Sequence, residues 1–211
     1  MTSSAPLPEV RIFGLILAGG EAKRLGGADK ALLVLGGATL LDRIIGRFSP
    51  QVETLALSAN GDPARFIGLG GPVLGDESNE RLGPMAGILA GLEWMATRGG
   101  THLATVAVDT PFVPCDLVPQ LLLAGEKTEG FAIAESQGRV HPTCALWPVK
   151  YRESVRAALE GGERRIGRWA EAQGAARAYF DDRPVDPFLN INTAEDLANA
   201  AALLEAVEPR L

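Results

Sequence analysis

The chain has 211 residues, of which 46% are hydrophobic and 22% charged, and its formal net charge is −6. This size and hydrophobic content predict one globular domain over residues 10–211, after a flexible tail at residues 1–9. The acidic balance argues against binding to nucleic acid or a membrane surface, because such proteins usually carry a basic excess. Residues 1–8 form neither a basic nor an apolar leader, and every apolar run is too short for a bilayer, so we expect a cytoplasmic protein.

The first half of the chain alternates apolar runs with amphipathic stretches. Short apolar runs predict buried strands at residues 11–17, 54–58 and 72–74. A short extended segment is expected at residues 31–35, before a turn at Gly36-Gly37. Apolar residues at helical spacing predict one helix over residues 40–48 and another from Pro84 to Gly99-Gly100.

The second half repeats this alternation. Strands are predicted at residues 102–108, 131–134 and 143–147, and helices at residues 117–123, 151–159 and 166–172. Thr193 and Asp196 resemble a capping box that opens a final helix through Leu204. Strands that alternate with helices predict an α/β fold: a three-layer, mainly parallel twisted sheet with helices on both faces.

Residues 15–30, LILAGGEAKRLGGADK, predict a buried strand that ends at a phosphate-binding loop. In Ala18-Gly19-Gly20, the glycines let backbone N–H groups approach an anion. Lys23, Arg24 and Lys30 supply countercharge. The loop has neither the Gly-Lys-Ser/Thr ending of a P-loop nor the glycine spacing of a dinucleotide fold. The alternative is that the glycines simply turn the chain.

Polar residues follow the other predicted strands of the first half and the strand at residues 102–108. These residues are Asn60, Asp76 and Asp109. Ligands of parallel sheets bind beyond the carboxyl ends of the strands, so the three are expected near the glycine loop. Asp109 is a candidate Mg²⁺ ligand, because magnesium is typically held by one or two carboxylates plus substrate phosphates. The alternative for Asp109 is a turn into Thr110-Pro111, and Asp76 is the weaker candidate.

Two further segments are candidates for a second binding region. Asn190 and Asn192 flank one apolar residue in an extended stretch, so their side chains point the same way and could grip one polar ligand. The alternative is a turn followed by a helix cap. Arg164 and Arg165 are by default a solvated surface patch, and a structural role is favoured for His141.

The two cysteines, Cys115 and Cys144, are far apart in sequence. We expect neither a disulfide nor a zinc site from them, because the chain looks cytosolic and shows no His/Cys cluster. Trp94, Trp147 and Trp169 are expected to pack in the core.

Together these segments resemble the nucleotidyltransferases that act on molybdenum cofactor, most closely the molybdenum cofactor guanylyltransferases. The resemblance runs from about Leu15 to Leu197. The Gly-Gly loop and its lysine are shared by many nucleotidyltransferases, whereas the Glu-Arg-Arg and Asn-x-Asn-Thr segments point to this family within that superfamily. At Glu21 the chain departs from a basic residue that often appears in the family's loop. The matching segments are Leu17-Ala18-Gly19-Gly20, Arg24-Leu25-Gly26-Gly27, Asp29-Lys30, Asp76, Gly83-Pro84-Met85-Ala86-Gly87, Val108-Asp109-Thr110-Pro111-Phe112, His141-Pro142-Thr143, Gly162-Glu163-Arg164-Arg165 and Asn190-Ile191-Asn192-Thr193.

The resemblance implies a Rossmann-like nucleotidyltransferase fold and a Mg²⁺-dependent transfer of GMP from GTP to molybdopterin, with release of pyrophosphate. Asp109 would hold the metal, and Arg24, Lys30 and Asp109 would be the catalytic residues. The implied nucleotide-binding residues are Leu17, Ala18, Gly19, Gly20, Lys30, Asn60, Asp76 and Asp109. The implied pterin-binding residues are Arg24, Arg164 or Arg165, Asn190 and Asn192.

Two rival functions stay open at this point. One is a CTP-dependent cytidylyltransferase acting on molybdopterin or on a sugar or alditol phosphate. The other is a non-catalytic nucleotide-binding module. GTP and molybdenum-molybdopterin are the expected substrates, and transient contact with cofactor-inserting or acceptor molybdoenzyme proteins is expected because a reactive metal–dithiolene is better passed on than released. We expect no nucleic-acid or membrane partner, and a monomer or weak oligomer.

Overall fold

The computed structural model describes residues 9–19, 29–66, 68, 70–75 and 83–207. The expectations for most of the N-terminal tail and for Gly20, Arg24 and Asp76 lie outside these residues. The strands are β1 (Ile12–Leu17), β2 (Val34–Leu35), β3 (Ala38–Thr39), β4 (Thr54–Ser58), β5 (Val73–Leu74), β6 (His102–Ala107), β7 (Ala132–Ser136), β8 (Arg139–Pro148) and β9 (Ala176–Tyr179). The helices are α1 (Leu40–Phe48), α2 (Pro84–Ala96), α3 (Leu117–Gly125), α4 (Arg152–Glu160), α5 (Ile166–Ala172) and α6 (Ala194–Val207).

The main sheet has seven strands in the order β5-β4-β1-β6-β8-β7-β9. Strand β1 lies between β4 and β6 and is parallel to both, so that Leu17 is level with Ser58 and with Ala107. The carboxyl ends of these three strands therefore share one edge of the sheet. The α/β prediction of a mainly parallel sheet is confirmed.

One strand runs against the others. Strand β8 is antiparallel to β6 and β7, and a tight turn at Gln137-Gly138, with φ of 51° and 70°, joins it to β7. Strand β9 was not predicted; it pairs with β7 in parallel at the edge of the sheet. Apolar periodicity reports which residues are buried, but it does not report strand direction, so the sequence did not show this arrangement.

Helices cover both faces of the sheet, as predicted. Helices α1 and α3 pack on one face through residues such as Phe48 and Leu121. Helices α2, α4 and α5 pack on the other through residues such as Leu92 and Trp169. Helix α2 lies very close to the sheet, because a Cβ on Gly87 would lie 2.3 Å from Ser58 Oγ. Glycine at this position therefore allows the close contact.

Helix α6 and the β2–β3 hairpin form a separate apolar unit at the carboxyl edge of the sheet. Its buried residues include Leu35, Ile191 and Leu204. Leu204 approaches Gly36 so closely that a Cβ there would lie 2.3 Å from its Cδ2, and the positive φ of Gly36 also favours glycine. The Gly36-Gly37 turn is thus where it was predicted.

The segment just before this hairpin corrects one expectation. Residues 31–35 were expected to be extended, but Lys30–Leu32 form a short 3₁₀ turn and the strand begins only at Val34. The cause is Asp29, whose side chain accepts a hydrogen bond from the backbone N–H of Ala31 and so caps the turn. Among the residues that the structure describes, no helix has the length and apolar character required to cross a bilayer.

Candidate functional site

Three side chains from distant parts of the chain meet at the carboxyl edge of the sheet. Lys30 Nζ donates hydrogen bonds to Asp109 Oδ2 at 2.7 Å and to Asn192 Oδ1 at 2.8 Å. We refer to Lys30, Asp109 and Asn192 as the central cluster. Only 11% of the Lys30 side chain and 20% of the Asp109 side chain are exposed. The cluster therefore holds an ion pair at an edge that is only partly open to solvent.

Asp109 is positioned by the end of β6 and by the loop before α6. The backbone N–H of Val108 donates to Leu17 O at 3.0 Å, which prolongs the β1–β6 contact, and that of Ile191 donates to Asp109 O at 2.9 Å. Thr110 closes the turn, because its Oγ1 donates to Ala107 O at 2.8 Å. The Asp109 carboxylate faces Lys30 instead of closing this turn.

Lys30 is positioned by a residue that the sequence motifs did not indicate. Arg65 Nη1 forms an ion pair with Asp29 Oδ2 at 2.5 Å, and Asp29 caps the turn that carries Lys30. Arg65 Nη2 also donates to the backbone carbonyl of Asn60 at 2.5 Å. Arg65 thus ties the Asn60 loop to the Lys30 turn. Arg65 lies in a turn that contains no recognisable motif, so the sequence gave no indication of this contact.

Asn192 is positioned by the N-terminus of α6. Asp196 Oδ2 accepts hydrogen bonds from the backbone N–H groups of Asn192 and Thr193, each at 2.8 Å. The bond from Asn192 is the main cause of a lowered pKa of the Asp196 carboxyl. Ile191 is fully buried, whereas Asn190 and Asn192 are exposed on either side of it. This is the alternation that the sequence predicted.

The start of the glycine loop is a continuation of the sheet. Leu17 and Ala18 are each 7% exposed, and the backbone N–H of Ala18 donates to Ser58 O at 2.8 Å. That N–H group already has an acceptor, so it is not available to bind an anion. A Cβ on Gly19 would meet no atom of the described residues within 4 Å.

The two neighbouring arginines after α4 differ in their surroundings. Arg164 Nη1 donates to Leu159 O at 2.7 Å and to Glu163 O at 3.0 Å, so this side chain is bound to the end of α4. The Arg165 side chain is 74% exposed. The Glu163 carboxylate accepts hydrogen bonds from the backbone N–H groups of both arginines, which lowers its pKa. Both arginines are exposed, but Arg164 is held by backbone carbonyls, whereas the Nε of Arg165 lies 4.0 Å from Glu163 Oε1.

His141 takes part in a structural network on the same edge. Its Nε2 lies 2.9 Å from Ser136 Oγ, and Ser136 Oγ donates to Asp186 Oδ1 at 2.8 Å. Its ring stacks on Phe188 with 4.5 Å between centroids. Burial lowers the pKa of His141. These contacts join β7, β8 and the loop before α6, which is the structural role expected for this residue.

The acidic residues in the described ranges restrict how a metal could bind. No group of three or more His, Cys, Asp or Glu in these ranges could hold a metal ion with protein ligands only. Asp109 offers one carboxylate at the edge of the sheet. Magnesium binds through one or two carboxylates and takes its other ligands from substrate phosphates and water. The donor chemistry of the site therefore fits Mg²⁺ bound together with a nucleotide.

A mainly parallel sheet with a glycine, a lysine and an aspartate (Gly19, Lys30 and Asp109) at its carboxyl edge is the arrangement of an α/β nucleotidyltransferase. Solved structures with the same fold include the molybdopterin-guanine dinucleotide biosynthesis protein A of Archaeoglobus fulgidus, with a TM-score of 0.70 and 23% identity over 92% of this chain and 100% of that one. They also include the 2-C-methyl-D-erythritol 4-phosphate cytidylyltransferase of Thermus thermophilus, with a TM-score of 0.63 and 23% identity over 92% of this chain and 98% of that one.

Sequence comparison assigns the chain to one family among the α/β nucleotidyltransferases. Residues 14–176 match the family described as the MobA-like NTP transferase domain, and the chain belongs to this family. A molybdenum cofactor guanylyltransferase of Cereibacter sphaeroides is 57% identical over 92% of this chain and 98% of its own. Another, from Mesorhizobium japonicum, is 48% identical over 93% of this chain and 97% of its own.

Proposed function

We propose that this protein transfers GMP from GTP to the terminal phosphate of molybdenum-molybdopterin, releases pyrophosphate and forms molybdopterin guanine dinucleotide. The names of its relatives support the choice of reaction. The observation that carries the proposal is the central cluster. In it, Lys30 bonds both to Asp109, which is expected on the nucleotide side, and to Asn192, which is expected on the pterin side.

The reaction needs two polyanions to meet. An oxygen of the pterin phosphate forms a bond to the α-phosphorus of GTP, while the bond from that phosphorus to the oxygen that bridges to the β-phosphate breaks. The electron pair leaves with pyrophosphate. A phosphate is already largely ionised near neutral pH, so the nucleophile needs no general base. Positioning and charge stabilisation supply most of the catalysis in such transfers.

The nucleotide side lies in the N-terminal half of the single domain proposed for residues 10–211. The backbone at Gly19 and Gly20 holds the triphosphate, and Lys30 and Arg24 neutralise the charge that grows on the leaving pyrophosphate. Asn60 lies beside this region at the end of β4, and Asp76 follows β5. Asp109 would hold Mg²⁺, which supplies positive charge to the phosphate oxygens when it is bound.

The pterin side lies in the C-terminal half. Asn190 and Asn192 flank the buried Ile191 and present exposed amides for hydrogen bonds. Arg165 is the member of the arginine pair that we assign to a pterin phosphate, because Arg164 is bound to backbone carbonyls. An arginine can bind a phosphate through two parallel hydrogen bonds.

The test is pyrophosphate release from GTP and Mg²⁺ in the presence of molybdenum-molybdopterin. The matched control is the same pterin without its terminal phosphate, which lacks the nucleophile and should support no release. Equal or faster release with CTP would replace the proposal by the cytidylyltransferase alternative. Nucleotide binding without release, seen as a rise in Tm with GTP and Mg²⁺, would favour the non-catalytic module.

We place this activity in the cytoplasm and propose a monomer or weak oligomer. The product carries a reactive metal–dithiolene group. Direct transfer to a cofactor-inserting or acceptor molybdoenzyme protein would protect that group from water and oxidants. Size-exclusion chromatography of the enzyme, alone and with such an acceptor, tests this part of the proposal.

A further inference from the structure

Two capping boxes among the described residues have the same sequence pattern, Thr-x-x-Asp. At the start of α1, Thr39 Oγ1 accepts from the backbone N–H of Asp42 at 3.0 Å, and Asp42 Oδ2 accepts from the backbone N–H of Thr39 at 3.3 Å. At the start of α6, the corresponding distances between Thr193 and Asp196 are 3.1 Å and 2.8 Å. Each box satisfies backbone donors at a helix N-terminus and so stabilises its helix.

The box of α6 makes one more contact than helix capping requires. Asp196 Oδ2 also accepts from the backbone N–H of Asn192, at 2.8 Å. The side chain of Asn192 in turn accepts from Lys30 Nζ. A continuous series of hydrogen bonds therefore runs from α6 through Asn192 to Lys30 and Asp109.

The backbone around Asn192 is held on both sides. Ile191 is anchored by its burial and by its N–H bond to Asp109 O. The next N–H groups, of Asn192 and Thr193, are both held by Asp196. Without that carboxylate, the peptide after Ile191 could rotate and the Asn192 amide would lose its fixed direction.

We propose that Asp196 is a positioning residue for the transfer reaction: it fixes Asn192, whose amide oxygen holds the Lys30 ammonium beside Asp109. Its kinetic consequences rest on the proposed function, whereas its effect on Lys30 does not. The competing explanation is that Asp196 only stabilises α6. Asp42 provides the matched control, because its box caps a helix in the same way.

The first experiment needs no substrate. Lys30 is 11% exposed and bonded to two acceptors, so its amine should react slowly with acetic anhydride. The exposed Lys127 serves as an internal reference measured in the same digest. Asp196→Ala should raise the relative acetylation rate of Lys30 several-fold, and Asp42→Ala should leave that rate unchanged. Each variant should lower Tm by about 2–4 °C, as the loss of one cap predicts.

The second experiment measures turnover with GTP and molybdenum-molybdopterin. Asp196→Ala should lower kcat about tenfold, because small displacements of catalytic groups strongly reduce rates. Asp42→Ala should stay within about twofold of the wild type, since its effect is on stability only. Asp196→Asn should restore most of the activity, because its amide oxygen can accept the same two hydrogen bonds. If Asp196→Ala does not fold, Asp196→Ser takes its place.

A double-variant cycle separates positioning from stability. If Asp196 acts through Asn192, adding Asp196→Ala to Asn192→Ala should lower kcat no further. Additive losses of kcat, or a Lys30 acetylation rate in Asp196→Ala equal to that of the wild type, would overturn the inference. A wild-type protein without GTP-dependent transfer would overturn the proposed function instead, and the acetylation rates would then decide this inference separately.

Discussion

The central cluster and the Arg164–Arg165 turn carry their charges in opposite ways. In the cluster, Lys30 is bonded to partners 79 and 162 residues away and is 11% exposed. At the turn, the Glu163 carboxylate binds the next two backbone N–H groups, and the Arg165 side chain is 74% exposed. The protein thus holds the Lys30 charge between two fixed partners, whereas the Arg165 charge at the turn is largely open to solvent.

This difference has a physical reason. Charges that are partly withdrawn from water interact more strongly and are screened less by salt than exposed charges. An exposed ion pair contributes little, because it must also order a long side chain. Substitutions in the cluster should therefore change kcat, whereas substitutions at the turn should change binding of the acceptor.

The largest effect is expected for Lys30→Ala and Asp109→Ala. Each should reduce kcat by about 10²–10³, the usual loss when one preorganised charge-stabilising group is removed. The measurement is pyrophosphate release under saturating GTP, with circular dichroism to verify folding. Lys127→Ala, an exposed lysine beyond α3, is the matched control and should behave as the wild type. A folded Lys30→Ala variant with near-normal kcat would show that the cluster is not the reaction centre.

Arg65→Ala tests whether the position of Lys30 in the central cluster depends on a residue outside the cluster. Loss of the Arg65–Asp29 ion pair should loosen the turn that carries Lys30 and lower kcat about tenfold. Arg98 is a suitable control, because it also lies over an aromatic ring, with 5.5 Å to the centroid of Trp94 against 5.0 Å from Arg65 to Phe66. Arg98→Ala should leave kcat unchanged. Equal losses of kcat in the two variants would argue against a specific role of Arg65.

The buried thiol of Cys144 reports how well solvent is excluded beneath the central cluster. Burial raises the pKa of the Cys144 thiol from 9.0 to about 11. The folded state keeps this proton at pH values where the unfolded chain releases it. The free energy of unfolding should therefore be unaffected below about pH 8 and should be lower by roughly 1.4 kcal/mol at about pH 10. Urea titrations of the wild type and Cys144→Ala over this range measure the difference, which should vanish in the variant.

The smallest change in kinetic constants is expected at the Arg164–Arg165 turn. Arg165→Ala should raise the apparent KM for molybdopterin about two- to fivefold at constant kcat, because an exposed charge contributes less than about 1 kcal/mol. Arg164→Ala should instead lower Tm, since its guanidinium binds the carbonyl of Leu159 in α4 and that of Glu163 beyond the helix. If Arg164→Ala changed KM and Arg165→Ala did not, the assignment of the pair would be reversed.

The sequence was sufficient to predict the strands whose positions follow from the pattern of buried residues. Apolar periodicity located the strands that end at Leu17, Ser58 and Ala107 to within a residue, and their parallel alignment then brings their loops together. The chemistry of glycine, lysine and aspartate in those loops pointed to Lys30 and Asp109. Periodicity could not show the direction of β8 or the presence of β9, since strand pairing depends on partners far away in the chain.

The side-chain contacts were less predictable. Arg164 and Arg165 are neighbours of the same type, and only the folded structure shows that the first is bound to α4. Arg65 lies in a turn with no motif. Asp196 was predicted as a helix cap, but its bond to Asn192 depends on how the preceding extended segment bends. Such contacts depend on three-dimensional proximity, which the order of residues in a single sequence does not report.

The dependence of Lys30 on Asn192 also affects when the enzyme becomes active during its synthesis. The two residues are 162 positions apart, and α6 is made last among the described helices. While α6 is still inside the ribosome, the nascent chain already carries its glycine loop and Asp109, but it lacks the amide that orients Lys30. The order of translation thus delays the Lys30–Asn192 hydrogen bond until the residues just before α6 have been made.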